Sequence, residues 1–368
     1  MHCVYFPPEV GGLESHVHSL CRGLARRGHE VHVVTSRSRR GLAAHEVVDG
    51  IGVWRTWLPA RNTPGWAAHA FGSMPRFGAL AQRTDVLHAQ DIAAVLPCMV
   101  AKRVRATPVV TTYHTSHFLR RAESPFWRPI FKRFLEAADH NLAASAEIAA
   151  VGQSIAPGVR VEALTNGVET DVFRPVPPTL PPPPEDRTRV VVPRRLFEKN
   201  GVEHFVRALP AIVAEIDVEA IVMGDGPERA RLERLAGDVG VTERIRFLGA
   251  RPHAEMPGLL SSASLAIFPS LMEATSVAAL ESMACGLPVA ASRVGGLPEI
   301  VDDGVGGLFE PADPAALARA VVDLIRRGHL GELGAEGRRR VVERWSNDRL
   351  VERHLQIYEA LTSGAPVT

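Results

Sequence analysis

SLAIFPSLMEATSVAALESMACGLPVAAS, residues 264 to 292, holds a whole strand-helix-strand step. SLAIFPS is an apolar strand that breaks at Pro269. SVAALESMACG is a helix starting near Thr275 or Ser276 and stopping at Gly286, and LPVAAS is the next strand. Apolar strands with a helix between them indicate a parallel sheet covered on both faces. The same alternation runs through EVHVVT, TPVVTTY, RVEALTNG, RVVVPRRL, EAIVMGDG and IRFLG. The expected fold class is α/β, built from doubly wound, Rossmann-like units.

A chain of 368 residues is too long for one ordinary core, so two domains are expected. FRPVPPTLPPPPEDR, residues 173–187, cannot continue a helix or a central strand and reads as an extended connector. It divides a first domain, 1–172, from a second, 188–345. SNDRLVERHLQIYEAL follows, with a cap at Ser346 or Asn347 and an apolar stripe through Leu350, Val351, Leu355, Ile357, Tyr358 and Leu361, so 346–368 forms a terminal helix and tail. Facing doubly wound domains place their ligand at the carboxyl ends of their strands.

Composition excludes several classes. Apolar residues make up 46% and charged residues 23%, with 42 basic against 41 acidic side chains, so no chain-wide footprint for nucleic acid exists. Cys3, Cys21, Cys98 and Cys285 stand far apart, in neither a disulfide framework nor a metal-type spacing, and are expected to be reduced thiols. MHCVYFPPEVGG reaches proline and glycine too early for a signal peptide, and no run is long enough to span a membrane. A cytoplasmic location follows, with the inner membrane face as an alternative.

Within 264–292 the start of the helix carries no acid until Glu281. First turns usually attract Asp or Glu, which offset the positive end of the helix dipole. A bare first turn leaves amides and dipole to an anion such as a phosphate. Glu273 at the mouth and Glu281 two turns on could hold hydroxyls at the two ends of one elongated ligand, about 12 Å apart on a helix. A sugar joined through a diphosphate to a ribose has that layout. Two solvated glutamates are the bland alternative.

Beyond the strand RVVV come Arg194, Arg195 and Lys199. Arg195 and Lys199, four apart, suit a diphosphate, one as a fork and one as a point charge. VMGDGPER is a strand and glycine turn without the GxGxxG spacing of a dinucleotide fold. In the first half, VYFPPEVGGLESHV is a strand stub, a turn at Gly11 and Gly12, and a helix with apolar face Val17, Leu20, Cys21 and Leu24. The glycine pair either admits an anion or only makes a tight turn. His16 and His18 read as surface residues. His114 closes the strand TPVVTTY, where it could donate to a sugar hydroxyl, bear charge as a leaving group departs, or be a satisfied core histidine. His88 and Asp91 rank lower. Residues 118–135 interleave Phe126, Trp127, Ile130, Phe131 and Phe134 with Arg120, Arg121, Arg128, Lys132 and Arg133, which suits either a membrane interface or ordinary amphipathic packing.

In this order, GGLESHV, RRGHEVHVVT, NGVETDVF, RRLFEKNG, MGDGPER, the 268–292 stretch and GGLPEIVDDGVGGLF resemble the family 4 glycosyltransferases over nearly the whole chain. The resemblance implies a GT-B fold whose terminal helix crosses back to the first domain, and a retaining transfer from a nucleotide-diphosphate sugar, of the UDP- or GDP-sugar class, to a hydroxyl acceptor in glycan or glycolipid synthesis. By that likeness Glu273 contacts the donor sugar, Glu281 the ribose, Arg195 and Lys199 the diphosphate, and His114 the donor sugar. Gly12 lies near phosphates and acceptor, while Gly224 and residues Ala274, Thr275, Ser276 and Val277 complete the donor site. No metal or other cofactor is expected. Related readings are a nucleotide-sugar epimerase, a phosphorylase, or a silent sugar-nucleotide-binding subunit. Ala274-Thr275-Ser276 replaces a Gly-Phe-Gly common in the family. The first strand, MHCVYFPP, is short for such a sheet, which implies a truncated start or a weak central strand.

Overall fold

A computed structural model describes residues 1–9, 11–114, 116–184 and 187–367, without the side chains of Ser116 and His117. The chain divides into two compact units. Unit 1 is Met1–Gly167 with Asn347–Thr368, and unit 2 is Val168–Ser346.

Unit 1 contains α1 (Gly12–Arg26), β1 (Val31–Ser36), β2 (His45–Val48), β3 (Ile51–Thr56), α2 (Thr63–Ala81), β4 (Leu87–Gln90), α3 (Ile92–Arg105), β5 (Val109–Tyr113), α4 (Ser116–Ala122), α5 (Trp127–Ala137), β6 (His140–Ala143), α6 (Ala146–Ile155) and β7 (Val161–Ala163). The strands form a run β1-β3-β2 and a run β4-β5-β6-β7. Residues 1–4 join them: His2 N donates to His88 O at 2.9 Å and Cys3 N to Val34 O at 3.1 Å, while Gln90 N returns a bond to His2 O at 2.9 Å. The short opening stretch is thus the central strand, with Cys3 and His2 fully buried. Counting it first, the parallel order is 3-2-1-4-5-6-7, the doubly wound pattern. β2 is the exception, an antiparallel edge strand reached through a tight turn at Asp49 (φ 51°) and Gly50 (φ 79°).

Unit 2 contains β8 (Thr188–Val192), α7 (Val202–Glu215), β9 (Val218–Met223), α8 (Arg229–Asp238), β10 (Ile245–Gly249), α9 (Met256–Leu260), β11 (Leu265–Phe268), α10 (Val277–Ala284), β12 (Val289–Ser292), α11 (Leu297–Ile300), β13 (Gly306–Phe309), α12 (Pro314–Arg326) and α13 (Leu330–Arg344). Its six strands are parallel in the order β10-β9-β8-β11-β12-β13, again 3-2-1-4-5-6. Strand residues alternate between two cores. Val190, Val192, Val222 and Ile267 face α7 and α12, whereas Val191, Ile221, Phe268 and Ala291 share the other core with Leu280 and Met283 of α10. A sheet covered on both faces needs that double alternation.

The proline-rich stretch is not a free connector. Phe173 is buried in the second core, Val176 N donates to Ser261 Oγ, Thr179 N and Leu180 N donate to Ser262 Oγ, and Arg189 donates to Pro181 O. Serine hydroxyls beyond α9 bind its exposed amides, so it straps onto unit 2, and the division falls at Gly167/Val168 rather than after residue 172. Glu185 and Asp186, within the expected linker, lie outside the described residues. Ser346 belongs to unit 2 as well. The terminal helix α14 (Asn347–Ser363) belongs to unit 1, where Leu350 and Val351 enter the core of α1 and β1. Glu162 on β7 holds it through Arg353, with bonds of 2.7 and 2.9 Å.

Candidate active site

In unit 2 the loops after β8, β9, β11 and β12 converge at the carboxyl edge of the sheet. Strand order reverses between β8 and β11, which opens a crevice at that edge. Two glycines make the approach possible. A Cβ on Gly224 would stand 2.1 Å from Arg194 O and one on Gly295 1.6 Å from Glu273 O, and both residues have positive φ (150° and 51°). Any side chain there would push the Arg194 and Glu273 loops outward.

Arg194 lies at the centre. One guanidinium nitrogen stands 2.5 Å from Glu273 Oε2 and 2.7 Å from Asn200 Oδ1, and the other is 3.4 Å from Ser276 Oγ. Asn200, itself buried, donates back to Arg195 O at 2.6 Å and so fixes the loop. Arg195 is exposed, its guanidinium 5.6 Å from the Phe197 ring centroid. Lys199 sits in a single 3-10 turn, Glu198–Asn200, and its carbonyl accepts from Leu271 N and Met272 N. Its pKa is drawn below the ordinary lysine value, chiefly by desolvation of the ammonium. Glu273 opposes this, while Arg195 and Arg194 add to it. An added anion would relieve that repulsion.

Ser276 is the N-cap of α10, but its side chain makes no capping bond to the helix, and the first turn holds no acid. The helix begins at Val277, so Glu273 lies in the preceding loop and the helical spacing expected between Glu273 and Glu281 does not apply. Each carboxylate is paired: Glu273 with Arg194, and Glu281 with His253 Nε2 at 2.8 Å. That bond raises the His253 pKa above its ordinary value, against partial burial. Arg194 Nε and Ser270 Oγ are buried without a hydrogen-bonding partner. Unsatisfied buried polar atoms are costly, and such atoms at a crevice suit a ligand's polar groups. Ala274 and Thr275 are half-buried beside them.

In unit 1, Gly12 opens α1, and a Cβ there would meet nothing within 4 Å. Unlike α10, α1 carries an acid, Glu14, in its first turn. His114 follows β5 and is buried. Its Nε2 bonds Gln90 Oε1 at 2.7 Å, its Nδ1 has no partner, and its ring centroid is 4.6 Å from that of His16. Burial and the nearby His354 outweigh Asn166 and lower its pKa to about 3. The ring is therefore neutral near pH 7, and the expected charge-bearing role does not fit it. His16 is not a surface residue. It is buried against His114 with both ring nitrogens unpartnered, while His18, half-buried, pairs with Asp49 at 2.9 Å.

Residues 118–135 divide between core and surface. Tyr113 meets Phe118 in a tilted contact at 4.8 Å, Phe118 stacks on Phe131 at 5.0 Å, and Leu135 is buried too. Phe126 remains exposed, with Arg121 bridging the rings of Trp66 and Trp127. Among the described residues no helix is long and apolar enough to cross a membrane, and no three His, Cys, Asp or Glu side chains are placed to share a metal ion. All four cysteines are free and buried, and burial pushes each thiol up to about 12.

Residues 10–172 match the model of "Glycosyltransferase Family 4" and residues 187–327 that of "Glycosyl transferases group 1". Phosphatidyl-myo-inositol mannosyltransferase of Mycobacterium leprae (strain TN) is 30% identical over 374 residues, covering 100% of this chain and 98% of the relative. The chain belongs to the family 4 glycosyltransferases. Its fold is GT-B. Sucrose-phosphate synthase from Thermosynechococcus elongatus superposes with a TM-score of 0.82 at 23% identity, covering 98% of this chain and 96% of that one. Anabaena Alr3699/HepE in complex with UDP and glucose gives 0.74 at 19%, covering 98% of each.

Three residues near the glycosyltransferase's candidate positions have no signal in the sequence: Asn200, His253 and Gln90. Arg194 is named there as the first cation after β8, without its central place among Glu273, Asn200 and Ser276. The other three reach their partners only through tertiary contacts at separations of 6 to 28 residues.

Proposed function

We propose that this glycosyltransferase moves a sugar from a nucleotide-diphosphate donor, of the UDP- or GDP-sugar class, to a hydroxyl acceptor with retention at the anomeric carbon. The observation that carries the reading is the meeting of Arg194, Arg195 and Lys199 with an uncapped, acid-free helix start and two flanking carboxylates. The diphosphate would sit against those cations and the first amides of α10, with Glu273 beside the sugar and Glu281 beside the ribose. As the sugar leaves, charge grows on the diphosphate, and preorganised cations and amides stabilise it. In this reading no divalent metal is needed, and turnover persists in chelator. Retention rests on the family likeness. Gly12 and His114 keep the roles that the family likeness gives them, beside sugar and acceptor. The solved relative bound to UDP and glucose supports the donor class.

The phosphatidyl-myo-inositol mannosyltransferase supports a membrane glycolipid as acceptor. Exposed Phe126, set among Arg120, Arg121, Arg128 and Lys132, supports contact with anionic headgroups through 118–135. A thermal-shift panel of nucleotide sugars tests the donor assignment. The true donor should raise Tm in the parent, and Lys199→Ala and Glu273→Ala should reduce that rise. An equal rise in both variants, with undiminished turnover, would remove these residues from the site.

A further inference from the structure

A chain of buried side chains runs from α14 to His114. Tyr358 OH lies 2.6 Å from His88 Nδ1. His88 Nε2 lies 2.7 Å from Thr112 Oγ1 and 3.3 Å from Gln90 Nε2, and Gln90 Oε1 lies 2.7 Å from His114 Nε2. His88, Gln90, Thr112 and His114 are all buried.

Donor and acceptor roles along this chain are not independent. An amide nitrogen only donates, so His88 Nε2 must accept from Gln90, and the His88 proton is left on Nδ1, where it donates to Tyr358. An amide oxygen only accepts, so His114 must carry its proton on Nε2. Reversing the amide would reverse every bond at once. Met1 Sδ, 3.8 Å from Gln90 Nε2, opposes that reversal because sulfur is a weak acceptor and suits the NH2 end. The result is a His114 whose lone pair is on Nδ1, an atom that no protein group meets with hydrogen-bond geometry although the Asn166 side chain lies close enough to act on the ring. The groups around the ring are His16 of α1, His354 of α14 and Asn166.

The geometry points to Gln90, His88 and Tyr358 as positioning residues: their hydrogen-bond chain holds His114 in the Nε2-protonated form and presents Nδ1 as an acceptor for a substrate hydroxyl. This rests on the reading of His114 as a site residue. It turns the expected donor at this position into an acceptor, and it gives α14 a part in the chemistry through Tyr358.

Ring-15N histidine labelling tests it, with the His114 signal identified by its loss in His114→Gln. The parent should show the proton on Nε2. Gln90→Leu should mix the two tautomers and lower kcat about tenfold, the effect of one hydrogen bond, with little change in donor KM. Gln90→Glu should restore the Nε2 proton, because a carboxylate accepts from it, and should raise the pH at which the ring takes a second proton. A structural role alone predicts the reverse, since a buried carboxylate is the harsher substitution. Tyr358→Phe keeps the ring in place, so it is the variant least exposed to misfolding, and it should also perturb the tautomer. An unchanged tautomer in Gln90→Leu and Tyr358→Phe overturns the chain. If instead the tautomer responds while His114→Gln turns over like the parent, the chain stands and the assignment of His114 to the site fails.

Discussion

The two units share a strand order and differ in what they place at its carboxyl edge. Unit 2 sets charges there: Arg194 paired with Glu273, Glu281 paired with His253, and Arg195 and Lys199 beside them. Unit 1 sets neutral groups around His114, which packs against His16 and Gln90 with burial lowering both imidazole pKa values, while the charges at the ends of its first strands, Glu9 with Arg39 and Arg61, neutralise one another. The helix starts differ the same way, α10 acid-free and α1 with Glu14 in its first turn. The shared strand order therefore carries two different sets of groups. Under the proposed function, the unit 2 set would answer to an anion through charge and dipole, and the unit 1 set to hydroxyls through direction-specific hydrogen bonds.

Lys199→Ala against His114→Gln should show the contrast most strongly. Lys199→Ala removes a preorganised charge from the leaving group and is expected to lower kcat by roughly 10²–10³. His114→Gln removes a neutral hydrogen bond and should cost about tenfold. Raising salt should weaken donor binding in the parent and less so in Lys199→Ala. With the His114 pKa at about 3, the parent's kcat should show no limb from that ring between pH 5 and 8. A titration in that window lost in His114→Gln would contradict the neutral assignment.

How far this contrast was legible in the sequence depended on what each residue touches. The unit 2 half lies in loops next to strand ends, so RVVVPRRLFEKNG and the acid-free turn before Glu281 announce it from local pattern alone. The unit 1 half depends on burial. His16 stands in a helix among polar neighbours and reads as surface, yet it points inward at His114. Gln90 and Tyr358 have no local signature, and their roles come from strands and helix meeting across 24 and 270 residues. The proline-rich strap misled for a related reason: prolines exclude a strand, but they do not prevent neighbouring amides from bonding to Ser261 and Ser262. The β2–β3 hairpin was absent from the strand reading, although Asp49-Gly50 is a turn signal, because its edge strand is only half apolar.

A mid-sized effect separates the units by stability rather than activity. Burial alone would raise the Glu162 pKa, but bonds and charge from His140 and Arg353 outweigh it and hold it at about 2. A carboxylate with a depressed folded pKa contributes stability above its unfolded value, near 4.5, and loses it as pH falls toward about 2. Glu162 ties α14 to unit 1, so acid should loosen that helix, by on the order of 2 kcal/mol for this group. Hydrogen exchange of α14 amides between pH 5 and 3 checks it. Glu162→Gln should abolish the pH dependence, and an unaltered profile would mean that the ion pair does not hold the helix.

The smallest expected effect lies in unit 2, at His253. Its bond to Glu281 raises its pKa above the ordinary 6.5, so the contribution to stability is complete below 6.5 and is lost as pH rises through the shifted value. The same bond occupies the carboxylate that the proposed function gives to the ribose. Deprotonating His253 should free Glu281 for that role, and donor Kd should improve slightly, less than about threefold, from pH 6 to 8. His253→Ala should flatten this trend, and Glu281→Gln should remove it while weakening binding at every pH. A trend that survives His253→Ala would assign the titration to another group and leave His253 a bystander at the edge of the site.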